Sequence, residues 1–316
     1  MKDNTIVTIG DINYLWGIFM LLASARKAGM KEPFMVGVKG FTPEAERVLT
    51  QLGDVSIVHL DDVERSLTCL KTRVMLQVKT EYVTWADSDA FFTGNVTELL
   101  PPDSPEKIQF RLRTSDEMPP AFRGHEFGED GRRIPKAVLE AWHNDILAVA
   151  GEARDTSRYI TTGSACFCSL SIGRHRRFLE IWNSLQEKVL PDRNVGVVDK
   201  SLAFYHQLDE STLNACLNFV VDAPQVQPDF RLNRDRERLF VHFIARPKPW
   251  QGWTSRAFRF FDEYVSIVTW AQEQGLALPG EVPPYLKPAN KWWLKATIPW
   301  MELKPKLTSR LKRIFK

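Results

Sequence analysis

Cysteine is scarce in this chain of 316 residues: there are four, at positions 69, 166, 168 and 216, and no two stand at the C-x2-C spacing of a structural zinc site. In Ala165-Cys166-Phe167-Cys168 the alternation predicts both thiols on one face of a strand, as buried free thiols, which fits a reducing compartment. Long apolar runs are missing too. The longest, Leu15 to Ala25, is too short to span a bilayer, and no cationic leader precedes an apolar core, so the expectation is a cytoplasmic protein without a transmembrane helix. There is no internal repeat and no low-complexity segment. The bulk composition, 44% hydrophobic and 26% charged, is that of an ordinary globular chain and points to no function.

Acidic residues are nearly absent from one stretch. From Tyr285 to Lys316 nine Lys and Arg face a single acid, Glu302, so this tail holds +8 of a net charge of +3 and the rest of the chain is at −5. A nucleic-acid-binding protein with a basic arm is one reading, weakened because the basic residues are confined to the tail. The tail also interleaves its cations with Trp292, Trp293, Ile298, Trp300, Leu303 and Leu307, a mixture suited to an anionic membrane surface. The expectation is therefore a body over 1–284 and a membrane-docking tail over 285–316, the competing reading being a tail packed on the acidic body.

The first half alternates strand and helix signals. Thr5–Ile9, Phe34–Val38, Val55–Val58 and Tyr82–Trp85 read as strands. Between them, helices are predicted from about Tyr14 to Ala28 with a stop at Gly29, from Thr42-Pro43-Glu44, and across Leu70 to Lys79. Such a βαβ series predicts a mostly parallel, Rossmann-like sheet flanked by helices, whose ligands bind beyond the carboxyl ends of the strands. Asp11 and Asp87 would both lie on that rim. Residues 101 to 135, rich in Pro, Gly and charge, read as long loops or a lid. A helix at about 135–149, a strand at 165–171 and a helix at about 174–189 follow. Residues 1–100 would then form the nucleotide-binding half and 101–284 the acceptor half that completes the metal site.

Two distant segments carry the chemistry. Trp85-Ala86-Asp87-Ser88-Asp89 ends an apolar run with two carboxylates able to hold a divalent cation, although roughly one Asp-x-Asp is expected by chance in a chain like this. His242, followed six residues later by Lys248-Pro249-Trp250, is far rarer, and such a histidine and lysine can complete a metal shell and grip phosphate. Together they suit activation of a nucleoside-diphosphate leaving group.

With Asp11-Ile12-Asn13-Tyr14 and Asp209-Glu210-Ser211-Thr212-Leu213-Asn214, these segments resemble, in order over about residues 5–255, glycosyltransferase family 8. This is the retaining, metal-dependent group with the GT-A fold that includes lipopolysaccharide galactosyl- and glucosyltransferases. The resemblance implies that Asp87, Asp89 and His242 bind Mn²⁺ or Mg²⁺, the imidazole favouring Mn²⁺. It also implies that Lys248 contacts the diphosphate of a nucleotide sugar, most simply a UDP-hexose such as UDP-glucose or UDP-galactose. Asp11 and Asn13 would contact base or ribose and Tyr14 would pack on the uracil; a helix cap is the other reading of this segment. Of the upstream pair Lys71 and Arg73, Lys71 is preferred as a donor contact.

Asp209 would contact the sugar. Glu210 stands where the family usually has Gln, so a carboxylate there would stabilise an oxocarbenium-like centre or attack it, or else cap a helix. Two further departures are Thr161 in place of the Asn of Phe-Asn-x-Gly, and Ala245 in place of a Gly near the phosphate. The implied activity is metal-dependent transfer of a hexose to a saccharide or lipid-linked glycan in cell-surface polysaccharide or lipopolysaccharide synthesis, at the inner face of the cytoplasmic membrane. A non-catalytic nucleotide-sugar- or glycan-binding protein on the same fold is the alternative, and no nucleic acid is expected.

Overall fold

A computed structural model describes residues 3–113, 134–196, 198–228, 239–244 and 246–300. Its centre is a seven-stranded sheet in the order β3-β2-β1-β4-β7-β6-β8. The strands are β1 (Asn4–Asp11), β2 (Phe34–Lys39), β3 (Val55–His59), β4 (Tyr82–Ala86), β6 (Lys107–Leu112), β7 (Gly163–Ser171) and β8 (Gln225–Gln227). Neighbours β1, β2, β3 and β4 are parallel, β6 pairs with β8 in parallel, and β7 alone runs against its neighbours β4 and β6. The central strands are buried on both faces, as near-continuous apolar runs such as Thr5-Ile6-Val7-Thr8-Ile9 require. Ile6 faces one hydrophobic layer and Val7 the other.

Each layer is made by helices. Leu15–Lys27 and Phe261–Glu273 cover the Ile6 face, while Lys136–Ala150, Ile172–Val189 and Asp209–Phe219 cover the Val7 face. The first of these helices stops at Gly29, whose φ of +80° terminates it at little steric cost. Thr42 caps the helix Pro43–Thr50 by accepting a hydrogen bond from the Ala45 amide, with Pro43 in the first turn where its missing N–H is harmless.

The chain runs β1, β2, β3 to one side and then crosses back to place β4 on the other side of β1. Strand order therefore reverses between β1 and β4, and the crevice beyond their carboxyl ends is the natural ligand site of such a sheet. Asp11 is the last residue of β1 and Asp87 follows β4 directly. A separate two-stranded ribbon joins β5 (Ala90–Phe92) to β9 (Phe240–His242), antiparallel, with Ala90 opposite His242.

Several sequence expectations are corrected. The helix predicted across Leu70 to Lys79 is a 3-10 turn, Leu67–Leu70, followed by a short helix, Lys71–Met75; its end winds down through i→i−3 bonds from Gln77 to Val74 and from Val78 to Met75. Part of the supposed lid is sheet. In β6, Ile108 and Phe110 point into the core between charged flanks that hide the pattern; residues 114–133 of that segment lie outside the described ones. Cys166 and Cys168 do not share a face. The β6–β7 register jumps from Phe110 opposite Cys168 to Arg111 opposite Ser164, and the extra residues turn Cys166 into the opposite layer from Cys168. All four thiols are free and buried, as expected.

Residues 285–300 lie against the body. Trp253 donates its indole N–H to the Tyr285 carbonyl at 2.8 Å, and Leu286, Leu294 and Ile298 are buried in the Ile6-side layer. Residues 291–300 are helical, with Trp292, Trp293 and Trp300 left exposed, and 301–316 lie outside the described residues. Among the described residues no helix is long and apolar enough to cross a membrane.

Candidate active site

The local fold explains how three distant side chains meet. After β4, the amide of Ala90 bonds to the Asp87 carbonyl at 3.1 Å, closing a tight turn that sends Asp87 and Asp89 to one side. The turn leads into β5, which pairs with β9 and so sets His242 beside it; the Phe243 amide donates to the Asp89 carbonyl at 3.0 Å. An aromatic layer anchors the ribbon, with Phe91 stacked on Phe243 at 5.6 Å and both rings edge-on to Tyr264. The result is His242 Nε2 at 3.0 Å from Asp89 Oδ1 and 3.4 Å from Asp87 Oδ2. One ligand atom from each of the three residues lies within 4.8 Å of the others, a carboxylate–carboxylate–imidazole set that fits a divalent cation.

Charge is tightly balanced here. Lys248 Nζ reaches Asp89 Oδ2 and the Phe243 carbonyl, each at 2.5 Å. Burial alone would raise the Asp89 carboxyl, but His242 and Lys248 override it and hold the group well below the usual carboxylate range. Burial opposes a charged His242, and Asp89 outweighs it, so the imidazole stays protonated well above its ordinary range.

Behind Asp87 lies a second buried cation. Lys71, 3% exposed, donates to Asp87 Oδ1 at 3.0 Å and the Ala165 carbonyl at 3.0 Å, pairs with Asp209 Oδ2 at 2.7 Å, and sits 4.6 Å from the centroid of the Trp85 ring. Burial works against its charge, yet Asp209 and Asp87 hold it protonated beyond the ordinary lysine range. The Trp85 indole N–H also donates to Asp87 Oδ1, at 2.8 Å. Lys71 therefore joins Asp87 to Asp209, its three N–H groups engaged with those two carboxylates and the Ala165 carbonyl. Burial, together with Asp87 and Glu210, pushes the Asp209 carboxyl up to about 6 against the pull of Lys71.

A cleft of about 220 Å³ opens over this floor, lined among others by Asp11, Tyr14, Thr68, Asp87, Asp89 and Arg246. Asp11 accepts from the Asn13 amide at 3.0 Å, fixing the turn that carries Tyr14, while the Asn13 side chain is exposed and outside the lining. The tyrosine ring meets Trp250 edge-on at 5.7 Å. Trp250 in turn presses on Gly17, where an added Cβ would come within 2.5 Å of the indole and 2.4 Å of the Ser88 carbonyl. Gly17 thus lets the first helix touch both the Asp87–Asp89 turn and the Lys-Pro-Trp segment. On the far wall, Asn194 and Gly196 belong to a loop tied to Ser66 by the Val195 amide at 2.8 Å.

Glu210 stands one residue beyond Asp209 and both its oxygens are taken. Oε1 receives the Arg113 guanidinium and Oε2 accepts from the Ala165 amide at 3.1 Å. Arg113 also donates to Thr162 Oγ1 and the Gly163 carbonyl at 2.9 and 2.8 Å, and Asn214 brackets Gly163 from the other side, accepting from its amide at 2.6 Å. Gly163 admits nothing larger, since a Cβ would fall 2.0 Å from the Phe110 ring.

The structure thus gathers Asp11, Tyr14, Lys71, Asp87 and Asp89 around the cleft, His242 and Lys248 behind Asp89, and Asp209 through Lys71. Asn13 is left outside. Ala245 lies outside the described residues. Sequence reasoning missed Arg113, Gly17, Arg246 and the Asn194 loop; of these, only Arg246 carried a signal, lying between His242 and Lys248.

No protein-family model matches the sequence, and no curated protein does. Solved structures match in fold. The apo structure of the bifunctional glycosyltransferase WbbM has a TM-score of 0.57 and 14% identity over 86% of this chain and 51% of its own. Apo GlyE of Streptococcus pneumoniae TIGR4 has a TM-score of 0.50 and 15% identity over 89% of this chain and 66% of its own. The galactosyltransferase LgtC, in complex with donor and acceptor sugar analogues, has a TM-score of 0.50 and 14% identity over 83% of this chain and 95% of its own. This chain spans about half the length of the WbbM structure. At these identities the likeness is one of fold, and the fold is the GT-A fold of glycosyltransferases.

Proposed function

We propose that this chain is a glycosyltransferase that moves a hexose from a nucleotide sugar, a UDP-hexose, to a saccharide or lipid-linked glycan, with a divalent cation bound by Asp87, Asp89 and His242. The observation that carries the reading is the convergence of these three side chains, from segments some 150 residues apart, at the strand-order reversal of a GT-A fold. Mn²⁺ suits the mixed carboxylate and imidazole set. Bound there, the cation would offset the negative charge that builds on the departing diphosphate.

The chain's own residues do the rest. Trp85 and Lys71 fix the Asp87 carboxylate by two hydrogen bonds to one oxygen, leaving the other turned toward His242. Lys71 carries the same constraint to Asp209, so the sugar-contacting acid and the metal ligand move as one unit. Lys248 supplies fixed positive charge at Asp89. Preorganised charge of this kind stabilises a leaving group without reorganisation at the moment of reaction. Glu210, held at both oxygens, positions the Gly163–Ala165 segment, and transfer with retention proceeds without attack by its carboxylate. The product fits cell-surface glycan synthesis at the inner face of the cytoplasmic membrane. The exposed Trp292, Trp293 and Trp300, beside Lys291 and Lys295, support docking of the region from 285 onward on anionic lipid.

The test is a screen of nucleotide sugars for transfer and slow hydrolysis, with and without Mn²⁺. UDP-glucose or UDP-galactose turned over only with metal is the expected result. Tight binding of a nucleotide sugar without turnover in the presence of any saccharide or glycolipid acceptor would make the chain a binding protein.

A further inference from the structure

The cleft beneath Tyr14 is short of available positive charge. Its lining includes three carboxylates, Asp11, Asp87 and Asp89, and two cations, Lys71 and Arg246. Lys71 is buried and its donors are spent on Asp87, Asp209 and a carbonyl. Lys248, behind Asp89, is buried and committed to that carboxylate and to the Phe243 carbonyl. Arg246 differs from both. It is exposed at the cleft and has no carboxylate partner among the described residues.

Its neighbours place it on the nucleotide side of the cleft. Arg246 and Tyr14 share the lining of the cleft, where burial raises the Tyr14 hydroxyl and the guanidinium charge works against that rise. Tyr14 is held edge-on by Trp250, four residues along the chain from Arg246, and the Trp250 ring is locked against Gly17. Arg246 thus faces the cleft beside Tyr14, on a main chain that leads into a buried tryptophan, and its guanidinium makes no ion pair among the described residues. A guanidinium so placed matches phosphate oxygens in bidentate fashion, where an ammonium offers only a point charge.

Resting on the donor reading above, we propose that Arg246 is a phosphate-recognition residue of this site, gripping the diphosphate of the nucleotide from the Tyr14 side of the cleft, with Tyr14 as its positioning partner. The lysine of the Lys-Pro-Trp segment, whose ammonium is already engaged with Asp89, then serves chiefly to set the charge of the metal site.

Calorimetric titration of UDP, uridine and inorganic pyrophosphate, each with Mn²⁺, into the full chain and into Arg246→Ala, Arg246→Lys and Tyr14→Phe tests the assignment. Loss of a charge-assisted bidentate contact should weaken UDP and pyrophosphate by roughly tenfold or more in Arg246→Ala, with uridine unchanged within about twofold. Arg246→Lys should recover part of the loss, and Tyr14→Phe should weaken UDP by a smaller factor. Equal UDP affinity in wild type and Arg246→Ala, or a loss shared equally by uridine, would overturn the assignment. Wild-type protein that binds pyrophosphate through Arg246 but not UDP would uphold the phosphate role and sink the nucleotide reading.

Discussion

Replacing Glu210 by Gln separates two roles that a carboxylate beside Asp209 could have. The structure gives its oxygens to the Arg113 guanidinium and to the Ala165 amide, both of them donors. An amide side chain must turn its own NH₂ toward one of the two. Either the ion pair with Arg113 becomes a donor–donor contact, or the Ala165 N–H is left unbonded. Both groups of the pair are largely buried, with side chains 12% and 15% exposed, so solvent does little to compensate. Loss of one charge-assisted bond costs about 1.5–3 kcal/mol. Spread over a chain of this length, that is a fall in Tm of about 2–5 °C. With Glu210 in the proposed role of a strut, turnover should fall by only about tenfold through displacement of the 163–165 segment. Arg113→Met should reproduce both effects. The assay pairs thermal melts with initial rates of donor hydrolysis. A Gln variant with unchanged Tm whose turnover drops by about a thousandfold or more, some 4 kcal/mol in the barrier, would refute the strut and make Glu210 the nucleophile.

Three further outcomes follow from the same geometry. Because His242 is raised in the folded, metal-free protein, its stabilising pair with Asp89 is fully present below about pH 6.5 and is lost as pH rises through the higher folded value. Metal must displace that proton, so Mn²⁺ affinity should strengthen with pH by about tenfold per unit over the same window, with close to one proton released per ion in calorimetry; a pH-independent affinity would contradict the pairing. Gly17→Ala should destabilise the chain by about 1–3 kcal/mol and weaken UDP binding, because its Cβ meets a backbone carbonyl and a buried indole; an unchanged melt and affinity would mean the packing is looser than described. The double variant Trp292→Ala, Trp293→Ala should keep transfer to a soluble acceptor while losing sedimentation with anionic liposomes at low salt, and equal sedimentation would remove the membrane role.

Much of the scaffold is legible in the sequence because it is written locally. Buried strands such as Thr5–Ile9 are uninterrupted apolar runs, and Thr42-Pro43 and Gly29 mark helix ends through backbone chemistry that a single residue decides. The rim position of Asp11 and Asp87 follows from those strands. What is not legible is long-range. The β5–β9 ribbon is two runs of three residues, and its pairing of Ala90 with His242 joins segments whose own patterns are too short to announce a strand. Lys71 reads as a donor contact or an exposed helix charge, with the contact preferred, and its burial shows only when Asp87, Asp209 and the Ala165 carbonyl arrive from three other elements. Arg113 and Glu210 are 97 residues apart, with nothing in either neighbourhood to suggest a pair. The alternation at Cys166 and Cys168 misleads because a register jump opposite Phe110 and Arg111 breaks the period of two.

The central claim is that Asp87, Asp89 and His242 form one metal site that serves a nucleoside diphosphate. Titration of Mn²⁺ in the presence of UDP, followed by loss of the free-ion electron paramagnetic resonance signal, tests it most directly. The account predicts one ion bound per wild-type chain and none at comparable concentration in a folded Asp89→Ala variant. Stoichiometric, UDP-dependent Mn²⁺ binding by Asp89→Ala would contradict it.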